Sequence, residues 1–524
     1  MHDSVRILER GAAPRVLPFG DGFVEARLPE GTRVVYANPP LEPLPDPDAA
    51  IRRALLHPTA GDPLIAKLRP GMKVTIGIDD ISLPLPPMQT PDVRERVLTV
   101  VLDLLADYGV DDVHLVVATS LHRRLTAAEI RRMVGTRIFR AFYPDRLYNH
   151  DAEAPDGLVE LGRTEHGERV LLNRRAAESD LLVYVNIDLV PMDGGHKSVC
   201  VGLSGYESLR SHHNPTTMLD CHSYMDPRRS ALHDSCGRMG RIVDGSLDVF
   251  TVETALNTQM FPPEMDFLSR CEDEWGEADR LKWRALRWTA ERLPAGLRRA
   301  ALQRFTAPYG VIGVWAGPTG PTHEAALERV FEQYAVPVEG QSDVLVAGVP
   351  YICPYNVNSI MNPILVQCTG LGYLFNFYRG QPLVRRGGTL ILAHPLPDAF
   401  QAEHHPSYVE FFDRVLPATR NSFEMEKRFE EEFAKNPVYR HMYRHGHAYH
   451  GVHPFYMWYW GDAGRAHVGR VIVAGAEDSD VAALLGFETA PGVEEAVAMA
   501  RGELGPSASV TCLHAPPILI ADVA

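Results

Sequence analysis

The segment DGGHKSVCVGLSGYESLRSHHNP, residues 193–215, holds the residue types on which a site is most readily built. Gly194 and Gly195 let the backbone come close to a ligand, because glycine takes positive φ without a Cβ penalty. Lys197 follows at once. A lysine beside two glycines suits two tasks, a phosphate contact or a covalent adduct through its amine. At the far end stand His212 and His213, and a neutral imidazole is a good ligand for nickel, copper or zinc. A second concentration is HMYRHGHAYHGVHPFYMWYWGD, with His441, His445, His447, His450 and His453 among aromatics. That pattern suits a metal or the roof of an active site.

These residues need a frame. KVTIGIDD is an apolar run ending in two acids, as a buried parallel strand would be. TPDVRERVLTVVLDLLADYG has apolar positions at helical spacing, with Gly109 as its stop. VHLVVATS and DLLVYVNID are further strands, and TAAEIRRMVG is a helix opened by Thr126 with Glu129 three residues later. The same alternation returns from Tyr309 through YGVIGVWAG, SDVLVAGV, GGTLILAHP and GRVIVAGA. Strands alternating with amphipathic helices mean parallel sheets covered on both faces. The expectation is therefore an α/β fold: two doubly wound α/β domains with a cleft between them, plus a helical insertion. The first domain is expected over 1–305, with the insertion at 262–305 and residues 508–524 returning to it; the second is expected over 306–507. In such folds ligands sit beyond the carboxyl ends of the strands. IDDISLPLPP, ATSLHRR, the 193–215 segment with its lead-in, and GVPYICPYNVNSIMNP are then the loops that carry chemistry.

Composition narrows the partners. The chain has 524 residues, 45% hydrophobic and 23% charged, with a net charge of −15. An acidic surface excludes general affinity for nucleic acid or anionic membrane, which need a basic face. The seven cysteines are scattered with no CxxC pair, which predicts reduced thiols. No apolar run of signal-peptide or membrane-spanning length appears. The expected location is the cytoplasm.

The run GGHKSVCVGLSGYESLRSHH resembles the core motif of the lactate racemase family. Similarity extends through RVLPFGDGFVEARLP, VTIGIDDISLPLP, VVATSLHRRLTAAEIRRMVG and the Asn-His-Asp stretch at 149–151. In that family a Gly-Gly-Arg-Lys-Ser loop supplies a lysine that forms a thioamide with a nickel-pincer nucleotide. A histidine sixteen residues later completes the nickel coordination. The resemblance implies these roles for Lys197 and His213, which have that spacing. It further implies that Asp80, Ser82, Gly194, Gly195 and Trp458 lie on the cofactor side of the cleft, with Trp460 as the other choice for the tryptophan. His122 matches one of the family's two catalytic histidines. The implied reaction takes a hydroxyl proton with a base while hydride leaves the carbinol carbon and returns to either face. The implied partners are a small-molecule hydroxyl substrate and the enzymes that make the cofactor.

The pattern breaks near the substrate. The second catalytic histidine has no counterpart in NIDLVPMDGG, leaving Asp193, His196 or Asp188 to replace it as acid or base. Leu83 stands where an arginine would grip a carboxylate, and leucine has no bidentate equivalent. Ile360, Met361 and Ile364 fall where a Tyr-Gln-x-x-Lys pattern would stand. Asn356, Asn358, Ser359 and Asn362 offer neutral hydrogen bonds instead, or simply turn chemistry. The expectation is a retained cofactor and a changed substrate: a hydroxy acid held by other groups, or a neutral polyol or sugar. A different redox reaction on a hydroxyl compound and a cofactor-free binding protein are the alternatives.

Overall fold

The computed structural model describes residues 3–524. Two mainly parallel sheets, each covered by helices, form the α/β framework. Six strands build the first: β1 (Lys73–Asp79), β2 (Asp112–Ala118), β3 (Leu147–Asn149), β4 (Leu181–Asp188), β5 (Val249–Leu256) and β6 (Val311–Gly317). Their spatial order is β6-β5-β4-β1-β2-β3, and only β6 runs antiparallel to its neighbour. The chain winds outward from β1 through β2 and β3, then returns to the other side for β4 and β5. The strand order therefore reverses between β1 and β4, and a crevice opens beyond their carboxyl ends.

The local signals act as their chemistry dictates. All eight residues of β4 are buried, as expected of a strand with helices on both faces. The helix Ala127–Phe142 begins with the Thr126–Glu129 capping box. Gly109 takes φ +68 just past the helix Val93–Asp107, a conformation that costs little only for glycine.

The seven-stranded second sheet has the order Val5–Ile7, Arg33–Tyr36, Val510–His514, Ser342–Gly348, Val384–Ala393, Arg470–Ala474, Glu488–Ala490. Its reversal lies at Ser342–Gly348, so the loops after Gly348 and His514 open together. Three assignments from the sequence are corrected here. Residues 5–36 supply strands to this second sheet, not the first. Val311–Gly317 belongs to the first sheet, beyond the expected boundary at 305/306. Val510–His514 lies inside the second sheet, and Ile520–Val523 pairs with Ala335–Val338 and Tyr378–Gly380; neither returns to the first. The reason is common to all three: strand pairing is settled by long-range packing, which local periodicity does not carry.

The insertion is helical, with Glu277–Arg292 and Ala295–Gln303. It docks on the hairpin formed by Arg15–Phe19 and Gly22–Ala26. Trp283 Nε1 donates to Glu25 at 2.6 Å and Arg299 pairs with Asp21 at 2.9 Å. At its root, Glu272 is buried with Arg15 at 3.3 Å and His514 at 3.1 Å.

Candidate active site

The two crevices face each other across one cleft of about 1240 Å³, counted to its open mouth. From the first sheet come Ser82, Leu83 and His122, then Leu189, Val190, Met192, Asp193, Lys197 and His213. The second contributes the loops after Gly348 and His514, including Ile352, Tyr355, Pro516 and Ile518. The cleft thus collects the strand-end loops of both reversals.

Lys197 lies on the helix Gly195–Gly202, which springs directly from the glycine turn. Its amine is 4.0 Å from Asp193. Asp193 is buried and accepts from the Leu189 and Val190 N–H groups at 3.2 and 3.0 Å. Burial pushes its carboxyl upward, against the pull of Lys197.

His213 opens on the same cleft, stacked on Trp460 with ring centres 5.3 Å apart. Its Nδ1 sits 2.7 Å from His212 Nδ1. Burial, with His212 and Lys197 adding to it, holds His213 well below the usual imidazole range. The ring is therefore neutral near pH 7. With the shared proton on His213 Nδ1, its Nε2 keeps a lone pair, the form in which imidazole ligates a metal.

His122 completes the constellation. Its Nδ1 is 2.8 Å from Asp80 Oδ2, and its side chain is 24% exposed toward the cleft. Asp80 also accepts from the Ser82 N–H and hydroxyl, at 2.9 and 2.5 Å. Burial alone would raise Asp80, but His122 and Ser82 outweigh it and hold the carboxyl below its ordinary range. An ionised Asp80 fixes the Nδ1–H tautomer and leaves Nε2 as a proton acceptor. Buried Arg94 donates to the Asp79 and Asp80 carbonyls at 3.1 and 2.6 Å and so sets the loop.

Other expected residues lie elsewhere. His196 points away from the cleft, 2.7 Å from Asp244; adjacent helical residues diverge by about 100°. Gly194 and Gly195 do not line the cleft. Their φ values of +79 and +62 turn the backbone over Asp188 and His323, and the Gly195 N–H is taken by Glu253 at 2.8 Å. Trp458 is fully buried, with Arg465 over its ring at 4.1 Å and Nε1 donating to the Arg420 carbonyl. Trp460, two positions on, is the tryptophan of the cleft. Asn356 closes a turn on Cys353 and Tyr351, Asn358 bonds Glu129, and Asn362 caps a helix; this is turn chemistry. The histidines at 441–453 do not converge. His447 meets the Arg124 carbonyl, His450 meets Glu153, and His453 Nδ1 lies 2.6 Å from the Tyr408 hydroxyl, its ring packed 5.4 Å from that of His122. Ile360 and Met361 line a separate hollow under the insertion.

The sequence reading missed Tyr355 and Tyr373. Their hydroxyls lie 2.7 Å apart in the cleft wall, and burial keeps both phenols protonated. No local pattern marks them, since they come from an irregular loop and the helical stretch after it.

Residues 19–225 match the family model of the lactate racemase N-terminal domain. Over that span the chain carries a domain of the lactate racemase N-terminal kind. A lactate racemase of Lactiplantibacillus plantarum is 25% identical over 169 residues, which is 31% of this chain and 38% of that protein. The match thus spans well under half of that relative. The fold is similar to that of the lactate racemase apoprotein from Thermoanaerobacterium thermosaccharolyticum. The TM-score there is 0.62, at 15% identity, covering 97% of this chain and all of the other. A Thermotoga maritima protein gives a TM-score of 0.54 at 13% identity, covering 93% and 100%. The family match lies over the loops that carry Asp80, His122, Lys197 and His213.

Proposed function

We propose that the chain is a divergent member of the lactate racemase family, a racemase or epimerase of a hydroxyl compound with an apolar body, working with a nickel-pincer nucleotide. The observation that carries the reading is the convergence of the Lys197 amine, the neutral His213 ring and the Asp80-held His122 ring on one cleft. An amine and a neutral imidazole are the donor set that such a group requires. Lys197 would hold it covalently and His213 would ligate its nickel. When bound, the group supplies a hydride acceptor. His122 Nε2 takes the substrate hydroxyl proton and later returns it. Tyr355 and Tyr373 offer neutral donors to the substrate oxygen. Asp193, raised by burial, is the nearest candidate for the second proton-handling group.

The wall favours an apolar substrate over a polyol. Leu83, Leu85, Val201, Met260, Ile352 and Phe377 all face the cleft, and among the described residues Lys197 is its only lysine or arginine. Once that amine is engaged, no cation remains to pair with a carboxylate.

The test is co-expression with cofactor-making enzymes, then intact-mass and metal analysis. A Lys197 adduct with one nickel per chain is expected, and neither should appear in Lys197→Ala. Chiral chromatography of apolar secondary hydroxyl compounds should show enantiomers or epimers interconverting with deuterium retained at the carbinol carbon. Net oxidation without interconversion would instead support a redox reaction. A protein carrying neither adduct nor nickel would overturn the reading.

A further inference from the structure

Behind the glycine turn, away from the cleft, three side chains meet that the proposed reaction does not use. Asp188 ends β4, Glu253 lies on the adjoining β5, and His323 is in the first turns of the helix Thr319–Tyr334. Asn186 is the register partner of Glu253, so Asn186, Asp188 and Glu253 share one face of the sheet. One ligand atom from each of Asp188, Glu253 and His323 lies within 4.8 Å of the others. Glu253 Oε2 is 3.0 Å from His323 Nδ1. Both acids are buried, while the His323 side chain is 15% exposed and gives a route inward.

The pair of acids is undercompensated. Asp188 Oδ1 accepts from Asn186 Nδ2 at 2.8 Å, and Glu253 Oε1 accepts from the Gly195 N–H. Asp188 Oδ2, fully buried, has no hydrogen-bond partner among the described residues. Asp193 and Asp79 add negative charge nearby. Lys197 is turned to the cleft. A buried carboxylate pair needs a proton or a cation, and an imidazole beside it selects a transition ion over calcium or magnesium.

The backbone is shaped around this point. A Cβ on Gly194 would lie 2.5 Å from Asp188 Oδ1 and 2.8 Å from His323 Nδ1. A Cβ on Gly195 would lie 2.7 Å from the His323 ring. The two glycines thus admit the cluster, and the helix carrying Lys197 starts immediately above it.

We propose that Asp188, Glu253 and His323 bind one divalent first-row transition ion of the zinc class, distinct from any metal at His213. Ligand bonds of about 2.0–2.2 Å place neighbouring donors about 3.0–3.6 Å apart. The Glu253–His323 separation already fits, and modest side-chain rotation closes the rest. The ion ties the ends of β4 and β5 to the helix Thr319–Tyr334 and sets the turn from which Lys197 projects. It leaves the cleft's own chemistry to other residues, so its test is independent of the reaction proposed above.

The experiment uses the full chain made without cofactor-making enzymes, stripped with chelator and titrated with Co(II), then Zn(II). One Co(II) per chain is expected, with visible ligand-field absorption that Zn(II) displaces. His213→Ala should retain that binding. Glu253→Gln and His323→Ala should weaken it by about 100-fold or more, with circular dichroism reporting that each variant is folded. His323, at the rim, is the variant least exposed to a folding failure. Absence of stoichiometric Co(II) in the unmodified chain overturns the proposal. So does binding that is lost with His213→Ala or unchanged in His323→Ala; the carboxyl pair is then held by a shared proton.

Discussion

Asp80→Asn isolates the geometry that makes His122 a base. The substitution keeps the side-chain volume but removes the charge 2.8 Å from His122 Nδ1. When His122 accepts a proton, it forms an ion pair with Asp80. Two unit charges about 4 Å apart at an effective dielectric of about 20 interact by about 4 kcal/mol. With the ring 24% exposed, screening reduces this to roughly 2 kcal/mol. At 1.36 kcal/mol per decade, kcat should fall at least about 30-fold. An asparagine also presents either its carbonyl or its amide to Nδ1, so part of the population holds the wrong tautomer and the loss grows toward about 1000-fold. KM should change little, because Asp80 does not line the cleft. The assay is enantiomer interconversion on the best compound of the panel, with ¹⁵N spectra of the His122 ring. Wild type should show Nδ1–H only, and Asp80→Asn a mixture. A variant with unchanged kcat, or a loss of rate with the tautomer intact, would refute the positioning role.

Leu83→Arg should restore a carboxylate grip and improve 2-hydroxy acid binding by about 10- to 100-fold, the worth of a charge-assisted hydrogen bond of about 1.5–3 kcal/mol; an unchanged KM for such acids would count against the apolar-wall reading. Gly195→Ala forces a side chain into φ +62 and onto the His323 ring. It should cost about 2–4 kcal/mol in urea denaturation, from left-handed strain and overpacking, and a loss under about 0.5 kcal/mol would contradict that packing. Glu272→Gln removes the buried anion shared by Arg15, Tyr36 and His514, leaving Arg15 the part-exposed Asp273 at 2.5 Å as its remaining anion, and should destabilise by about 2–3 kcal/mol. Burial opposes the charge on Glu272, but His514, the Val16 N–H and Arg15 hold its carboxyl below its usual 4.5. A depressed folded value means stability is present above that range and lost as pH falls through the folded value. Acid melts of the wild type should therefore drop from about pH 4.5 downward, with Glu272→Gln lacking that component.

The parts of the site visible in the sequence are those whose spacing survives in one loop or one helix. Lys197 and His213 are separated by a short run that folds back on itself, so sequence register carries their meeting. Asp80 and His122 lie in the loops that follow neighbouring strands, which the βαβ pattern foretells. Trp458 and Trp460 differ only in which way the helix turns them, and His196 differs from Lys197 in the same sense. Composition cannot decide such a choice; packing does. The placement of residues 5–36 and 510–514 depends on pairings across most of the chain, and their local periodicity would suit either sheet. The glycines suggested a ligand approach, but the close neighbours turned out to be Asp188 and His323.

The trade of strands between the two sheets has a mechanical outcome. The polypeptide laces the halves together, because Arg33–Tyr36 is an interior strand of the later half while Val311–Gly317 closes the rim of the earlier one. Scission near 305 would rob each fragment of a piece it needs, so neither should survive alone. The walls around Lys197 and His213 are accordingly sewn into one body, whose melting should be a single cooperative event.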